Sequence, residues 1–270
     1  FDLANNYGPS YGSAEETFGQ IMKSSLAPYR DELFISTKAG HDMWPGPYGN
    51  WGSRKHLMAS LEQSLKRMNL EYVDVFYSHR YDPETPLEET LQTLVDIVHQ
   101  GKALYVGLSK YPLEAYLFAS RFLKERDVPC LLYQGRYSML VREPESQGIL
   151  QAVRENGAGF VAFSPLAQGL LTNRYLHGIP EDSRIARGGF LKKEALTPEV
   201  LRKIQALNEH ARLRGQSLAE MALAWLLKDA SITSVLVGAS SVEQLGDSLK
   251  ALDNLSFEEE ELQRIEEILA

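Results

Sequence analysis

The chain has 270 residues, of which 44% are hydrophobic and 24% charged, and a formal net charge of −8. This composition excludes a disordered tail, a collagen-like fibre and a disulfide scaffold. The negative balance argues against a general binder of nucleic acid or of a membrane surface, while a local site built from helix termini and a few Arg or Lys can still take an anion.

A chain of this length suits one large α/β domain as well as two smaller ones. No apolar run approaches the roughly 18 to 20 residues of a membrane span, and no signal peptide is visible. The lone Cys130, in the apolar context VPCLLY, reads as a buried thiol in a reducing cytosol, so a cytoplasmic location is expected. The sequence opens directly on an apolar stretch, Phe1-Asp2-Leu3-Ala4-Asn5, as though entered inside a strand; the expectation is that a preceding βα unit is missing.

In chain order the predicted strands are Phe1–Ala4, Leu33–Thr37, Val73–Ser78, Ala103–Leu108, Leu131–Tyr133, Phe160–Phe163 and Ser234–Val237. Most are continuous apolar runs, the pattern of parallel strands covered on both faces. Amphipathic helices lie between them. Leu57, Leu61, Leu65 and Met68 form one stripe. Thr85-Pro86-Leu87-Glu88 reads as an N-cap, a first-turn proline and a capping-box acid; Ser217-Leu218-Ala219-Glu220 and Ser256-Phe257-Glu258-Glu259 repeat the box. Thr197-Pro198 opens a helix that places Val200, Leu201, Ile204 and Leu207 on a face. The spacing is that of βα units, with a polar loop, Thr172–Leu196, and two tandem helices before the last strand. No G-x-G-x-x-G and no P-loop follows any strand, so the fingerprints of open nucleotide-binding sheets are absent. The fold predicted is an α/β (β/α)8 TIM barrel lacking its first βα unit, with residues 1–270 as a single domain.

Catalytic groups on such a barrel sit at or just beyond the C-terminal ends of the strands. Those ends hold Asp2 and Tyr7, then Lys38, His79, Ser109, Gln134 and Ser164, and finally Gly238 and Ser240. Asp2, Tyr7, Lys38 and His79 make chemical sense together. An ammonium beside a phenol favours the phenolate, a carboxylate keeps that ammonium charged, and a neutral imidazole can direct a carbonyl. Singly, each also reads as a structural tyrosine, a loop lysine, a rim histidine or a turn aspartate. His41, His56, His79 and His99 lack metal-ligand spacing, and one Cys supports no thiolate site, so no metal is expected. The Gly, Pro and aromatic stretch Met43–Gly52 follows the second strand, where it would line a substrate pocket or form a subunit contact, the pocket being favoured.

The strings FDLANNYG, ISTKAG, VDVFYSHR, ALYVGLSKY, AFSPLAQGLL and SVLVGASSVEQL resemble, in order and spacing, the aldo-keto reductase family over essentially the whole chain. GSAEETFG, TKAGHDMWPGPYG and GIPEDSR resemble its bacterial branch acting on L-glyceraldehyde 3-phosphate, beside the potassium-channel β-subunits. The resemblance implies a barrel that uses NADPH without a Rossmann motif. It also implies reduction of a short, polar aldehyde such as L-glyceraldehyde 3-phosphate or methylglyoxal.

Carried over by residue, Tyr7 matches the general acid, Asp2 and Lys38 its pKa-lowering partners, and His79 the carbonyl-orienting group. Ser109 and Gln134 match the positions that hold the nicotinamide carboxamide, and Phe163 the aromatic near its ring. Ser164, Leu166, Gln168 and Gly169 match the pyrophosphate loop, with Arg174 and Arg184 as cationic partners. Gly238, Ser240, Gln244, Asp247 and Ser248 match the adenosine end; Gly238-Ala239-Ser240-Ser241 also reads as an ordinary strand-to-helix cap.

The family usually has Asn where this chain has Ser248, a shorter group toward adenine, and Lys110 stands where Asn, Ser or Arg is common. Arg80 reads either as a substrate-phosphate partner or as a rim ion pair with Asp82 or Glu84, the ion pair being favoured. The other functional reading is an NADPH-binding, redox-sensing subunit with little turnover. The channel β-subunits usually carry Asn in place of His79, which favours the enzyme. The small-molecule aldehyde is the expected partner, with nucleic acid and membrane excluded and a homo-oligomer left open.

Overall fold

The structure is a computed structural model that describes residues 1–176, 178–180 and 192–270, with the side chain of residue 193 also outside the description. Arg184 lies outside the described residues, as do residues 177 and 181–191 of the Thr172–Leu196 loop. By chain contacts the molecule falls into two compact units, one of Phe1–Gln134 and Gly148–Gly159, the other of Gly135–Gln147 and Phe160–Ala270.

The first unit alternates α1 (Ser13–Ile21), β1 (Ser36–Ala39), α2 (Arg54–Met68), β2 (Val73–Ser78), α3 (Leu87–His99), β3 (Ala103–Ser109), α4 (Leu113–Lys124) and β4 (Cys130–Arg136). The last two residues of β4 and the short α5 (Glu143–Ser146) belong to the second unit, whereas α6 (Ile149–Glu155) belongs to the first. The four strands run parallel in the order β1-β2-β3-β4, as right-handed βα crossovers require. All six residues of β2 are buried, which suits its mainly apolar composition, and the buried Asp74 is held by the Ile35 N–H and by Arg30.

Local chemistry sets the helix ends. Ser53 caps α2 by accepting from the His56 backbone N–H, the Leu57, Leu61, Leu65 and Met68 stripe is buried, and Asn69 closes the helix with a left-handed φ of 56°. The expected box at Thr85 does not form. The Asp82 carboxylate accepts from the backbone of Glu84 and Thr85, which folds residues 82–85 into a turn of their own, and Pro86 stands at the helix entrance without a side-chain cap.

The predicted first strand is also smaller than expected. Phe1–Ala4 makes one parallel bridge, Asp2 to Ser36, extended by backbone bonds from Leu3 to Ser36 and from Asn5 to Lys38. The predicted Leu33–Thr37 strand shifts to Ser36–Ala39, because Leu33 closes a turn on Arg30 and the Ile35 N–H goes to the Asp74 carboxylate.

The second unit holds β5 (Gly159–Phe163, entering from the first unit's last residue), α7 (Pro198–Leu213), α8 (Leu218–Leu227), β6 (Ile232–Val235), α9 (Val242–Leu249) and α10 (Glu259–Leu269). β5 and β6 are parallel, and β6 ends two residues before the predicted limit. Thr197 caps α7 through the Val200 N–H, and both halves of the Ser217–Glu220 box form on α8. The box expected at Ser256–Glu259 forms instead between Glu258 and Glu261. Arg214 holds the preceding residues out of the helix, bonding the Ser256 carbonyl and the Glu261 carboxylate while stacking on Phe257 at 3.7 Å.

Candidate active site

Lys38 is the second-last residue of β1, and its ammonium is fully enclosed among parallel strands. A buried charge needs partners. Lys38 Nζ donates to Asp2 Oδ2 at 2.6 Å and to the Leu3 carbonyl at 2.6 Å, so two of its three protons are committed. The other Asp2 oxygen accepts from Ser36 Oγ at 2.7 Å and from Gln134 Nε2 at 3.0 Å. Gln134, expected at the nicotinamide, is thereby oriented by Asp2 and by the Tyr77 hydroxyl.

Tyr7 and His79 complete the cluster. The Lys38 ammonium lies 4.9 Å from the Tyr7 ring centroid and 5.7 Å from that of Tyr77. The Tyr7 and His79 rings meet edge to face at 5.7 Å. The structure thus brings together all four residues of the predicted set within the first unit, Asp2 and Tyr7 from the opening segment, Lys38 from β1 and His79 from just beyond β2. Ser109, at the end of β3, is buried with no partner for its hydroxyl among the described residues, as are the His79 Nδ1 atom and both polar atoms of the Asn5 amide.

Burial and charge decide the protonation states. His79 is held far below the ordinary imidazole value, first by desolvation and then by Lys38, His41, Lys110 and Arg80, and is therefore neutral. The Lys38 value is lowered by burial, against the raising effect of Asp2. Tyr7 departs from expectation: its phenol is pushed up, by burial first and by the Asp2 carboxylate second. It keeps its proton throughout the physiological range.

The Met43–Gly52 loop is tied down rather than loose. Met43 N–H donates to the Gly49 carbonyl, the Trp44 and His56 rings lie 5.0 Å apart, and His56 Nδ1 meets the Tyr48 carbonyl at 3.0 Å. Asp82 Oδ2 accepts from Gly52 N–H, and Thr90 Oγ1 donates to the Gly52 carbonyl. The favoured rim ion pair of Arg80 does not form. Its Nε donates to the Gly40 carbonyl at 2.8 Å and an Nη to Asn50 Oδ1 at 2.6 Å, and its guanidinium stacks on Trp51 at 3.6 Å, because Asp82 is already occupied by backbone N–H groups.

His41, read at first only as an unsuitable metal ligand, packs edge-on against His79 at 4.5 Å and meets Lys110 Nζ at 3.3 Å. The signal for His41 was its register, two residues beyond the end of β1, rather than any motif.

Within the second unit, Phe163 ends β5 half-buried and leads into a turn in which Ser164 (φ 54°), Ala167 (φ 46°), Gln168 (φ 59°) and Gly169 (φ 102°) are left-handed. Leu166 (φ −96°) lies inside this turn, between Ser164 and Ala167, and Arg174 is exposed beyond it. Gly238 and Ser240 are exposed before α9. Gln244 Oε1 accepts from the Ser240 N–H and hydroxyl, Ser241 caps the helix through the Gln244 N–H, Asp247 pairs with Lys250, and Ser248 Oγ donates to the Gln244 carbonyl. Among the described residues no group of His, Cys, Asp or Glu could hold a metal ion, and no helix is long and apolar enough to cross a membrane.

Residues 1–270 match the family described as the aldo/keto reductase family. The chain is 56% identical to an L-glyceraldehyde 3-phosphate reductase of Escherichia coli O157:H7 and 55% identical to that of strain K12, covering 100% of this chain and 79% of each relative. It is 36% identical to a probable voltage-gated potassium channel subunit beta of Arabidopsis thaliana, over 94% of this chain and 77% of the relative.

Proposed function

The chain belongs to the aldo/keto reductase family, whose members are oxidoreductases, and from that premise we propose that it reduces a short, polar aldehyde to its alcohol with NADPH, Tyr7 giving the proton. Its parallel α/β organisation is that of the family's barrel. The observation that carries the reading is the buried Lys38–Asp2 pair beside the Tyr7 ring, next to a neutral His79.

The cofactor's fit is supported by bare and unpaired positions. In the first unit the buried, partnerless Ser109 hydroxyl and the oriented Gln134 amide suit a carboxamide. In the second unit the left-handed positions Ser164, Ala167, Gln168 and Gly169 curve the backbone as anion-holding turns do. Nothing of the described chain comes within 4 Å of a Cβ placed on Gly238, so a ligand can approach that backbone. Phe163, Leu166 and Arg174 are assigned with these to the nicotinamide ring and pyrophosphate, and Ser240, Gln244, Asp247 and Ser248 to the adenosine phosphate. Because Ser248 Oγ is spent on its own helix, its contribution to adenine is small.

NADPH, when bound, supplies a hydride to the aldehyde carbon. The chain does the rest. His79 donates a hydrogen bond that points the carbonyl oxygen toward Tyr7, and being neutral it does not compete as an acid. Tyr7 passes its phenolic proton to that oxygen as negative charge develops there. The phenolate left behind faces the Lys38 ammonium, whose one uncommitted proton is available to it, and it regains its proton from water.

NADPH oxidation with L-glyceraldehyde 3-phosphate and with methylglyoxal tests the reading. Tyr7→Phe is expected to cut kcat by roughly 100-fold or more, the scale of a lost general acid, while NADPH still binds. Unchanged turnover in Tyr7→Phe would overturn the assignment.

A further inference from the structure

Beyond the reacting groups, the first unit carries a second layer of charge. The register pairs Ala39 with Ser78 and Ser78 with Leu108 on three adjacent strands. One residue further along each chain stand Gly40, His79 and Ser109; one further still stand His41, Arg80 and Lys110. The His79 N–H bond to the Ala39 carbonyl at 2.9 Å carries the β1–β2 alignment past the end of β1. Three basic side chains thus follow immediately on the row that contains the carbonyl-orienting histidine.

Their arrangement is built. Lys110 has a left-handed φ of 56°, a conformation that side chains other than Asn, Asp and Gly adopt at a cost, and its N–H is fixed to the Gln134 carbonyl at 3.2 Å. An ammonium has no acceptor, so Lys110 donates to His41 Nε2 and fixes His41 with its proton on Nδ1. His41 is kept neutral, pushed down to about 4 by burial and by the Lys110 and Arg80 charges. Arg80 is locked by Gly40, Asn50 and Trp51. Neither Lys110 nor Arg80 has a carboxylate within ion-pair distance among the described residues. Only the more distant fields of Asp42 and Asp82 reach Arg80, and no acid offsets Lys110. The Arg80 charge reaches Lys110 and lowers its pKa, and two cations held by neutral partners in a chain whose net charge is −8 call for an anion.

We propose that Lys110 and Arg80, with His41 as a positioning residue, form a subsite that binds a phosphate group carried by the aldehyde substrate and selects phosphorylated over unphosphorylated aldehydes. The proposal rests on the reductase reading and assigns its substrate class. In glyceraldehyde 3-phosphate the phosphorus lies four bonds from the carbonyl carbon, so its phosphate reaches past the His79 row to the residues that follow it, and charge-assisted bonds to its oxygens are the strong kind.

The test compares kcat/KM for L-glyceraldehyde 3-phosphate and for unphosphorylated L-glyceraldehyde in the unmutated chain, Lys110→Met and Lys110→Arg. The ratio of the two is expected to fall by about 10- to 100-fold in Lys110→Met, the scale of one charge-assisted bond, and to recover most of that loss in Lys110→Arg. Because the loss is read as a ratio from one preparation, partial misfolding does not mimic it. An unchanged ratio overturns the subsite. A rise of tenfold or more in the NADPH dissociation constant with an unchanged ratio also overturns it, giving the cations to the cofactor. Binding of glycerol 3-phosphate, read by calorimetry, separates the two readings. Lys110-dependent binding without reduction of either aldehyde supports the subsite and overturns the reductase reading; no binding and no reduction overturns both.

Discussion

Replacing Asp2 by Asn removes the carboxylate from a lysine that water does not reach. The Lys38 side chain is 0% exposed, and its ammonium keeps only the Leu3 carbonyl after the change. The Asn carbonyl can still accept from Ser36 and Gln134, so the substitution chiefly turns the Oδ2 acceptor into a donor facing an ammonium. Breaking a buried pair on one side costs about 3–5 kcal/mol.

An independent ceiling follows from proton linkage. If Lys38 escapes by losing its proton, the cost at pH 7 relative to a free lysine is about 1.36 × (10.4 − 7), or roughly 4.6 kcal/mol. At pH 9 the same ceiling is about 1.9 kcal/mol. Asp2 raises the Lys38 value in the folded parent, so without it the folded-state value falls further and the folded variant binds fewer protons than the folded parent. Stability of the variant relative to the parent therefore rises with pH until the parent's own folded-state value is passed. Urea unfolding followed by tryptophan fluorescence at pH 7 and pH 9 is expected to give a loss of about 3–5 kcal/mol at the lower pH and about 2 kcal/mol at the higher. A loss below about 1 kcal/mol at pH 7, or one that does not shrink at pH 9, refutes the claim that Asp2 keeps Lys38 charged.

Two further outcomes follow from packing. A Cβ on Gly107 would lie 2.3 and 2.4 Å from Tyr77 ring carbons and 3.0 Å from the Leu132 carbonyl, so Gly107→Ala is expected to cost at least about 1–3 kcal/mol of overpacking. Since Tyr77 lies beside Lys38, turnover should fall with stability, and a thermal midpoint lowered by less than about 2 °C would contradict the contact. The buried Cys130 thiol is pushed up to about 12 by desolvation, so an aromatic disulfide reagent at pH 8 is expected to leave it unreacted in the native chain and to titrate one thiol in urea; fast native labelling would contradict the burial.

The parts of the fold legible in the sequence are those whose cause is local. The Ser217–Glu220 box, the Thr197 cap and the Leu57–Met68 stripe each depend on residues within a few positions of one another, and each forms as expected. Thr85 and Ser256 carry equally good local signals, and both are outvoted by side chains from elsewhere: the Asp82 carboxylate folds one stretch into a turn, and Arg214 pins the other outside its helix. Arg80 fails for the same reason, because its expected acid is taken by backbone donors from a loop thirty positions earlier. In the site, residue identity and strand-end position were enough to collect Asp2, Tyr7, Lys38 and His79. The protonation of Tyr7 was not legible, because the burial that raises its phenol, with the Asp2 carboxylate adding to it, exists only in the folded enclosure. His41 became visible through strand register alone, which no linear motif records.

Asp2 acts on Tyr7 in two opposing ways, and geometry decides which prevails. Its own charge disfavours the phenolate and helps to hold the phenol protonated. Through Lys38 it sustains the ammonium that favours the phenolate. The carboxylate sits 2.6 Å from Lys38 Nζ, and the ammonium lies 4.9 Å from the Tyr7 ring. If the enclosed lysine goes neutral on loss of Asp2, the phenolate loses its one enclosed counter-charge, whereas the repulsion removed is already shared with Ser36 and Gln134 donors. The net effect on the proposed proton transfer is therefore a loss. Asp2→Asn is expected to lower kcat for aldehyde reduction by roughly 10- to 1,000-fold, with no return of activity toward alkaline pH, because the proposed step needs the phenol protonated and higher pH also strips the proton from Lys38. A kcat equal to or above that of the parent would mean that direct repulsion dominates, and that Lys38 is held for packing rather than for catalysis.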